Sequence, residues 1–213
     1  VDTRLWLSVP VLPVETVSFL GAAVLAWALW PSPVAHAVSS SEPAVPVLTD
    51  VVVRVDHQAD HEVRATLLAA RRLPEAAQVI VIDLNARPEI ASLAVEFDAL
   101  YAATDPADRN GLRTLLATVC TAQLLLLDAG DIPAGDIIPR LAAEFTDERV
   151  AVAQGLGSSP AEDSAEHGPS GRHELLFERV ALNPALGARG VAIWLGSGSL
   201  LRTAALRATR LGN

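Results

Sequence analysis

The 213-residue chain has no lysine, no methionine, one cysteine, one tyrosine and only 4% aromatic residues. Each scarcity closes off a class of chemistry. Without lysine there is no Gly-Lys-Ser/Thr phosphate loop, and all 16 basic residues are arginine. The lone Cys120 cannot form an internal disulfide. Set among Leu115, Leu116 and Val119, it reads as a buried, inert thiol, and no histidine stands near it in sequence to activate it. Positive charge is sparse: the net charge is −9, and no basic cluster exceeds the pair Arg71-Arg72. A nucleic-acid surface is thereby excluded. An acidic chain that holds an anionic ligand must use backbone N–H groups, a few arginines or a metal ion. The arginine-only, alanine-rich composition reads as codon bias. The first residue is Val1, which implies an alternative start codon or a piece of a longer protein.

Apolar residues are abundant, at 51%, enough for one α/β domain of roughly 150–170 residues and a flanking segment. The longest apolar run is Leu5 to Trp30, 26 residues with a single charge, Glu15. Its cleanest part, Val17 to Trp30, would rise about 21 Å as a helix. A bilayer core needs about 20 residues, a length reached by extending back toward Pro13 or Leu5. Trp27 and Trp30 fall where an interfacial belt would lie. Residues 1–30 therefore read as a membrane helix. Two alternatives stand: a cleaved signal peptide, with Arg4 as its basic start and Ala35-His36-Ala37 as its cleavage pattern, or a helix packed on a partner. Residues 31–49, with prolines from Pro31 to Pro46 and Ser39-Ser40-Ser41, read as a linker.

From Asp50 to Asn213 strands and helices alternate. Val51–Val55, Gln78–Asp83, Gln123–Asp128, Val150–Gln154 and Val191–Leu195 read as strands. Helices are expected over Glu62–Arg72 with Asp60 as cap, from Pro88 with Ile90, Leu93, Ala94 and Phe97 on one face, and over Asp108–Thr121, Ile137–Phe145, Glu174–Leu182 and Thr203–Arg210. Gly155–Gly171 reads as a polar loop. This alternation implies an α/β fold with a doubly wound, mostly parallel sheet.

Two apolar strands end on an aspartate, Asp83 and Asp128, 45 residues apart. A carboxylate there sits at the rim where open α/β sheets bind ligands, and the pair reads as adjacent strands facing one crevice. Asp83 is either an acceptor for a ligand's hydroxyl or ring N–H, or a loop cap. In Asp128-Ala-Gly-Asp131-Ile-Pro133, two nearby acids suit a hard divalent cation that keeps waters and a phosphate; the other reading is a solvated turn. Asp56-His57-Gln58-Ala59-Asp60-His61-Glu62 reads as a polar loop rather than a metal cluster. Gly196-Ser197-Gly198-Ser199 is neither a dinucleotide fingerprint nor a phosphate loop. Its small residues permit close backbone approach to a ligand, or form an ordinary turn.

In order and spacing, from about Leu12 to Gly212, these elements resemble the processive family-2 glycosyltransferases, the cellulose synthase-like membrane enzymes. That family has a membrane helix and a proline-rich lead-in to its first strand, as in Leu12–Val53. The resemblance implies a nucleotide-sugar-binding, glycosyltransferase-A-like fold. Ile82-Asp83-Leu84 matches a strand that ends in paired aspartates, which implies that Asp83 binds the nucleotide. Asp128-Ala-Gly-Asp131-Ile-Pro133 matches an Asp-Ala-Asp strand end followed by a hydrophobic residue and proline, which implies Asp128 and Asp131 as ligands of Mn or Mg. Glycine stands at the second ligand position. Gly196 to Leu206 resembles a Gly-Thr-x-x-x-x-Arg-Arg-x-Ala-Leu segment, which implies Gly196, Ser197, Gly198 and Arg202 as a donor loop. Arg109-Asn110-Gly111 stands where Lys-Ala-Gly is usual, and Gln58-Ala59 where Asn-Glu is usual.

The implied activity is sugar transfer from a UDP-sugar, or another nucleoside diphosphate sugar, to a growing glycan. The implied place is a membrane, with the α/β domain cytoplasmic; the alternative is secretion after cleavage near Ala37. The family's Thr-Glu-Asp base and Gln-x-x-Arg-Trp motif are not in the chain, so it is expected to be inactive alone, with a partner chain as one source of the missing half. Two other functions remain open: a non-catalytic nucleotide-binding or protein-interaction module on the same fold, and a secreted α/β binding domain.

Overall fold

A computed structural model of the chain describes residues 11–29, 47–105, 107–108, 111–155, 183–187, 193–194 and 196–209. In chain order the elements are α1 (Val11–Leu29), β1 (Thr49–Val55), α2 (Asp60–Ala70), β2 (Ala76–Asp83), α3 (Pro88–Glu96), β3 (Leu100–Ala103) and α4 (Leu112–Thr118). They continue with β4 (Gln123–Asp128), α5 (Ile137–Ala142) and its 3₁₀ extension (Ala143–Thr146), β5 (Val152–Gln154), α6 (Asn183–Gly187), β6 (Ser199–Arg202) and α7 (Thr203–Ala208). They form two compact units, one of residues 1–37 and 169–193, the other of 38–168 and 194–213.

The first unit contains α1 and α6. Val14, Val17, Phe19, Leu20, Val24 and Trp27 of α1 are all exposed. The side chain of Asn183 closes a loop, accepting the Ile193 N–H and donating to the Ile193 carbonyl, both at 2.8 Å. Among the described residues no helix is long and apolar enough to cross a membrane. The membrane span expected over residues 1–30 is not supported by the described part of α1, and residues 1–10 and 30 lie outside the described residues. Ala35-His36-Ala37 and the linker up to residue 46 lie outside the described residues.

The second unit is built on a six-stranded sheet of order β3-β2-β1-β4-β6-β5. β1 pairs in parallel with β2 and β4, and β2 with β3. β6 runs antiparallel to both β4 and β5. Side chains alternate across a strand, so the apolar runs of β1, β2 and β4 feed two cores. Val51, Val53, Val55, Val79, Val81, Leu125 and Leu127 pack with Val63 and Leu67 of α2, Ile90 and Leu93 of α3, and Ile138 of α5. Val52, Ile80, Ile82, Leu124, Leu126 and Leu201 pack on the other face with Leu115 of α4 and Leu206 of α7. Burial on both faces is why these strands carry no polar stripe. The expected doubly wound, mostly parallel sheet is present.

Several local readings change. β3 is a four-residue edge strand too short to show a period. β6 occupies residues that read as a turn entering a helix. Glu174–Leu182 lies outside the described residues; of Val191–Leu195 only Ile193 and Trp194 are described, and neither is in a strand. α4 is shorter than its expected span because Asp108 closes its start, accepting the Thr114 N–H at 2.8 Å and hydroxyl at 2.9 Å. Ala59, not Asp60, is the cap of α2, and its N–H donates to Glu62 at 2.8 Å. Cys120 is exposed rather than buried. Val119 takes the core position, and the N–H groups of Cys120 and Thr121 turn onto the buried Asp50 carboxylate at 2.7 and 3.0 Å.

Candidate ligand-binding rim

From β1 the sheet steps to β2 and β3 on one side and to β4 on the other. The strand order thus reverses between β1 and β4, and open α/β sheets bind ligands at the carboxyl ends of strands at such a point. Arg54 and Asp128 stand opposite each other there, in register. The guanidinium grips the carboxylate by two bonds, Nε to Oδ1 at 2.7 Å and Nη2 to Oδ2 at 2.9 Å. Both side chains remain partly open, 36% and 31% exposed. A lone arginine in an otherwise apolar strand was the one sequence signal for this pair.

The turn before β6 walls the rim. Ser197 donates its hydroxyl to Asp131 Oδ2 and accepts the Asp128 N–H at 2.8 Å. Asp131 Oδ2 also accepts that N–H at 3.1 Å. The Gly198 N–H donates to the Leu126 carbonyl at 2.8 Å, pinning the turn to β4. Gly196 and Gly198 have φ of +96° and +70°, a region L side chains rarely adopt. Asp128, Asp131, Gly196, Ser197 and Gly198 are therefore brought together.

Asp83 is not part of that group. β1 lies between β2 and β4, so the two aspartates are not on adjacent strands. Alternation also puts Asp83 on the face of Val79 and Val81, and Asp128 on the face of Leu124 and Leu126. The expectation of one shared crevice is corrected accordingly. Asp83 is fully buried. Its Oδ1 accepts the Asn85 N–H at 3.0 Å, and its Oδ2 accepts the Arg87 N–H at 2.6 Å and the Tyr101 hydroxyl at 3.1 Å. Arg87 Nε lies 3.8 Å from Oδ1, and Arg87 Nη1 donates to the Gln58 carbonyl at 2.9 Å. The carboxylate thus fixes the turn that starts α3, where backbone donors would otherwise be unpaired.

Burial, with the Asp83 charge and hydrogen bond, pushes the Tyr101 hydroxyl up to about 12. Tyr101 is the only tyrosine in the chain, so tyrosinate absorbance reports it alone. Its titration midpoint is expected near that value, against about 10 for a free tyrosine, and should fall toward 10 in Asp83→Ala. Because the folded value is the higher, the linked stability is fully present below pH 10 and is lost as pH rises from about 10 to about 12.

Arg202 is at the other end of the sheet. It pairs with Gln123, the first residue of β4, about 16 Å along the strand from Asp128 at the usual rise. Its guanidinium donates to the carbonyls of Val150 at 2.7 Å, Phe145 at 2.6 Å and Asp147 at 3.2 Å. Arg109 and Asn110 lie outside the described residues. Gly111, with φ +67°, caps α4 where a Cβ would come within 2.9 Å of Ile82 Cγ2.

The rim residues do not fit a divalent cation. Both oxygens of Asp128 are engaged by Arg54. Gly130, at the second ligand position, has φ +104°, a conformation an aspartate would adopt only under strain; its N–H donates to Thr66 Oγ1 at 2.8 Å. Among the described residues no group of three or more His, Cys, Asp or Glu could hold a metal. His57 is exposed and lies beside Asp56, 3.3 Å from its Oδ1, in a polar loop.

No protein-family model matches the chain, and no curated protein matches it either. Solved structures similar to it include glucosyl-3-phosphoglycerate synthase from Mycobacterium tuberculosis with phosphoglyceric acid, at 15% identity and a TM-score of 0.49 over 73% of this chain and 57% of that one. The same enzyme with Mn2+ and uridine-diphosphate-glucose gives 16% and 0.48 over 73% and 57%. CMP:2-keto-3-deoxy-manno-octonic acid synthetase with CTP gives 12% and 0.41 over 49% and 50%. The chain spans just over half the length of the first of these. At such identities and scores, chemistry has to be read from the rim's own residues.

Proposed function

We propose that this chain carries a glycosyltransferase-like domain that binds a nucleoside diphosphate sugar, such as a UDP-sugar, at the β1/β4 rim. The observation that carries the reading is the placement of Arg54, Asp128, Asp131 and Ser197 at the reversal point of strand order, under a glycine-rich turn. In an acidic chain without lysine, an arginine with free N–H edges is a suitable phosphate partner. Backbone groups of the Gly196–Gly198 turn permit close approach. The order of motifs along the sequence supports the sugar-nucleotide class. Titration calorimetry with UDP tests it: heat is expected from the full chain and at least about tenfold weaker binding from Asp128→Asn, the low end for a lost hydrogen bond to a charged group. Absence of heat at millimolar UDP would sink the reading.

Transfer of the sugar is a separate step, and it is not expected from the purified chain. An acceptor hydroxyl needs a general base, typically worth about 10²–10⁴-fold. Asp131 is held by Ser197 and the Asp128 N–H, and Asp56 Oδ1 accepts from Asn85 at 2.9 Å. Labelled UDP-glucose should be neither hydrolysed nor polymerised above background. Turnover abolished by Asp131→Asn would identify that residue as the base and overturn this.

A second reading is a non-catalytic binding module on the same fold. The engagement of every Asp83 and Asp128 oxygen by protein donors favours it.

A further inference from the structure

We infer that Arg54 takes the place a divalent cation would occupy at Asp128, so that the rim binds its diphosphate ligand without metal. The inference rests on the reading of the rim as a diphosphate site, and it departs from the metal-dependent arrangement that the sequence motif implies.

Three observations converge. First, the fork of Arg54 uses only Nε and one N–H of Nη2 on Asp128. A guanidinium has five N–H donors in a fixed plane, and Nη1 has no hydrogen bond among the described residues while the side chain is 36% exposed. The outer edge of the fork therefore points to solvent, held in orientation by the carboxylate behind it. Second, the pair is set by the sheet itself. Arg54 and Asp128 are register partners on neighbouring parallel strands, so the fork does not depend on a flexible loop. Third, the second acid of the expected metal motif is replaced by Gly130 at a φ of +104°, and Asp131 is turned onto Ser197. A glycine stands where the motif has a carboxylate, and an arginine faces the carboxylate that is present.

The chemistry follows from charge. Asp128 and Arg54 cancel. A metal-free site of this balance binds a diphosphate weakly, through charge-assisted hydrogen bonds from the guanidinium edge and backbone N–H groups rather than through a net positive field. Arginine presents a planar fork that matches phosphate oxygens, which a lysine ammonium cannot.

The test uses the full chain, with UDP and Mn2+ as separate probes. UDP affinity by calorimetry should agree within about twofold in EDTA and in Mn2+, and should fall roughly 10- to 150-fold in Arg54→Met, the range for one hydrogen bond to a charged group. Arg54→Lys should recover only part of that. Affinity that collapses in EDTA would overturn the inference. The second arm needs no nucleotide. Electron paramagnetic resonance should show no Mn2+ held by Asp128 in the unaltered chain, and a new Mn2+ site in Arg54→Met that the added Asp128→Asn change removes. Mn2+ bound by the unaltered chain and released by Asp128→Asn would overturn it, as would no new site in a folded Arg54→Met protein. If UDP fails to bind under every condition, the proposed function fails, and the Mn2+ arm still decides the role of Arg54. Circular dichroism confirms that each variant is folded.

Discussion

Replacing Asp83 with alanine is expected to cost about 3–5 kcal/mol of folding stability, the usual price of leaving one member of a buried ion pair alone. For a domain of this size that is a fall in Tm of about 6–20 °C. The carboxylate is fully buried and takes donors from three directions: the N–H of Asn85, the N–H of Arg87 and the hydroxyl of Tyr101. It also faces the Arg87 guanidinium, whose Nε and Nη2 are buried without a hydrogen bond. Alanine would strand that charge and unpair the N–H groups of Asn85 and Arg87 in the turn that leads into α3. Asp83→Asn keeps one acceptor oxygen and the side-chain shape, so its cost should be smaller, about 1–3 kcal/mol for a group left unsatisfied. Thermal denaturation followed by circular dichroism measures both. A loss below about 1 kcal/mol in Asp83→Ala would show that the turn stands without the carboxylate, leaving it available to a nucleotide.

The sheet was legible because its strands are buried on both faces. Val51–Val53, Val79–Ile82 and Leu124–Leu127 are each an unbroken apolar run, and each lies in a strand close to its expected limits. β3 and β6 escaped for the opposite reason. Leu100–Ala103 is a short edge strand whose residues are only partly covered. Ser199–Arg202 follows two glycines and leads without a break into α7, so no turn marks its end. Cys120 was misplaced by one step of local geometry. A helix that continued to Thr121 would bury it, but the chain leaves α4 at Thr118 and Asp50 draws the backbone outward.

The candidate site was half legible. Strand ends are visible in sequence, and so were Asp128, Asp131 and the glycine-rich turn. The partner of Asp128 was not, because a cross-strand pair joins residues 74 apart, and nothing in a single sequence fixes which strands are neighbours. The same gap produced the expectation of a shared crevice. Asp83 and Asp128 close similar strands, yet β1 enters between them and the strand period sends their side chains to opposite faces. The departures at Leu84 and Gly130 have physical accounts once the fold is known. Leu84 packs on the core beside Gly111, and Gly130 holds a backbone conformation that favours glycine. Both residues have structural roles in this fold.

Arg202→Ala is expected to destabilise the second unit by about 2–4 kcal/mol while leaving the affinity of the folded protein for UDP within about twofold. The guanidinium ties three carbonyls of the segment from Phe145 to Val150 and lies 4.7 Å from the centre of the Phe145 ring. A hydrogen bond from a charged donor contributes about 1.5–3 kcal/mol and a cation–π contact at a partly open site about 0.5–1. The three bonds share one side chain, so the sum is well below three full bonds. Lysine in its place can reach one carbonyl but cannot span the fork, so Arg202→Lys should recover less than half the loss. Local effects should concentrate in β5, an edge strand that pairs with β6 and directly follows the Phe145–Val150 segment, and amide exchange of Ala153 and Gln154 should accelerate more than that of Val52 in the sheet centre. Urea denaturation gives the stability, and calorimetry at a temperature where the variant stays folded gives the affinity. A variant of unchanged stability that loses UDP binding would return Arg202 to the donor loop, and would mean that the segment around β6 moves some 16 Å relative to the arrangement seen here.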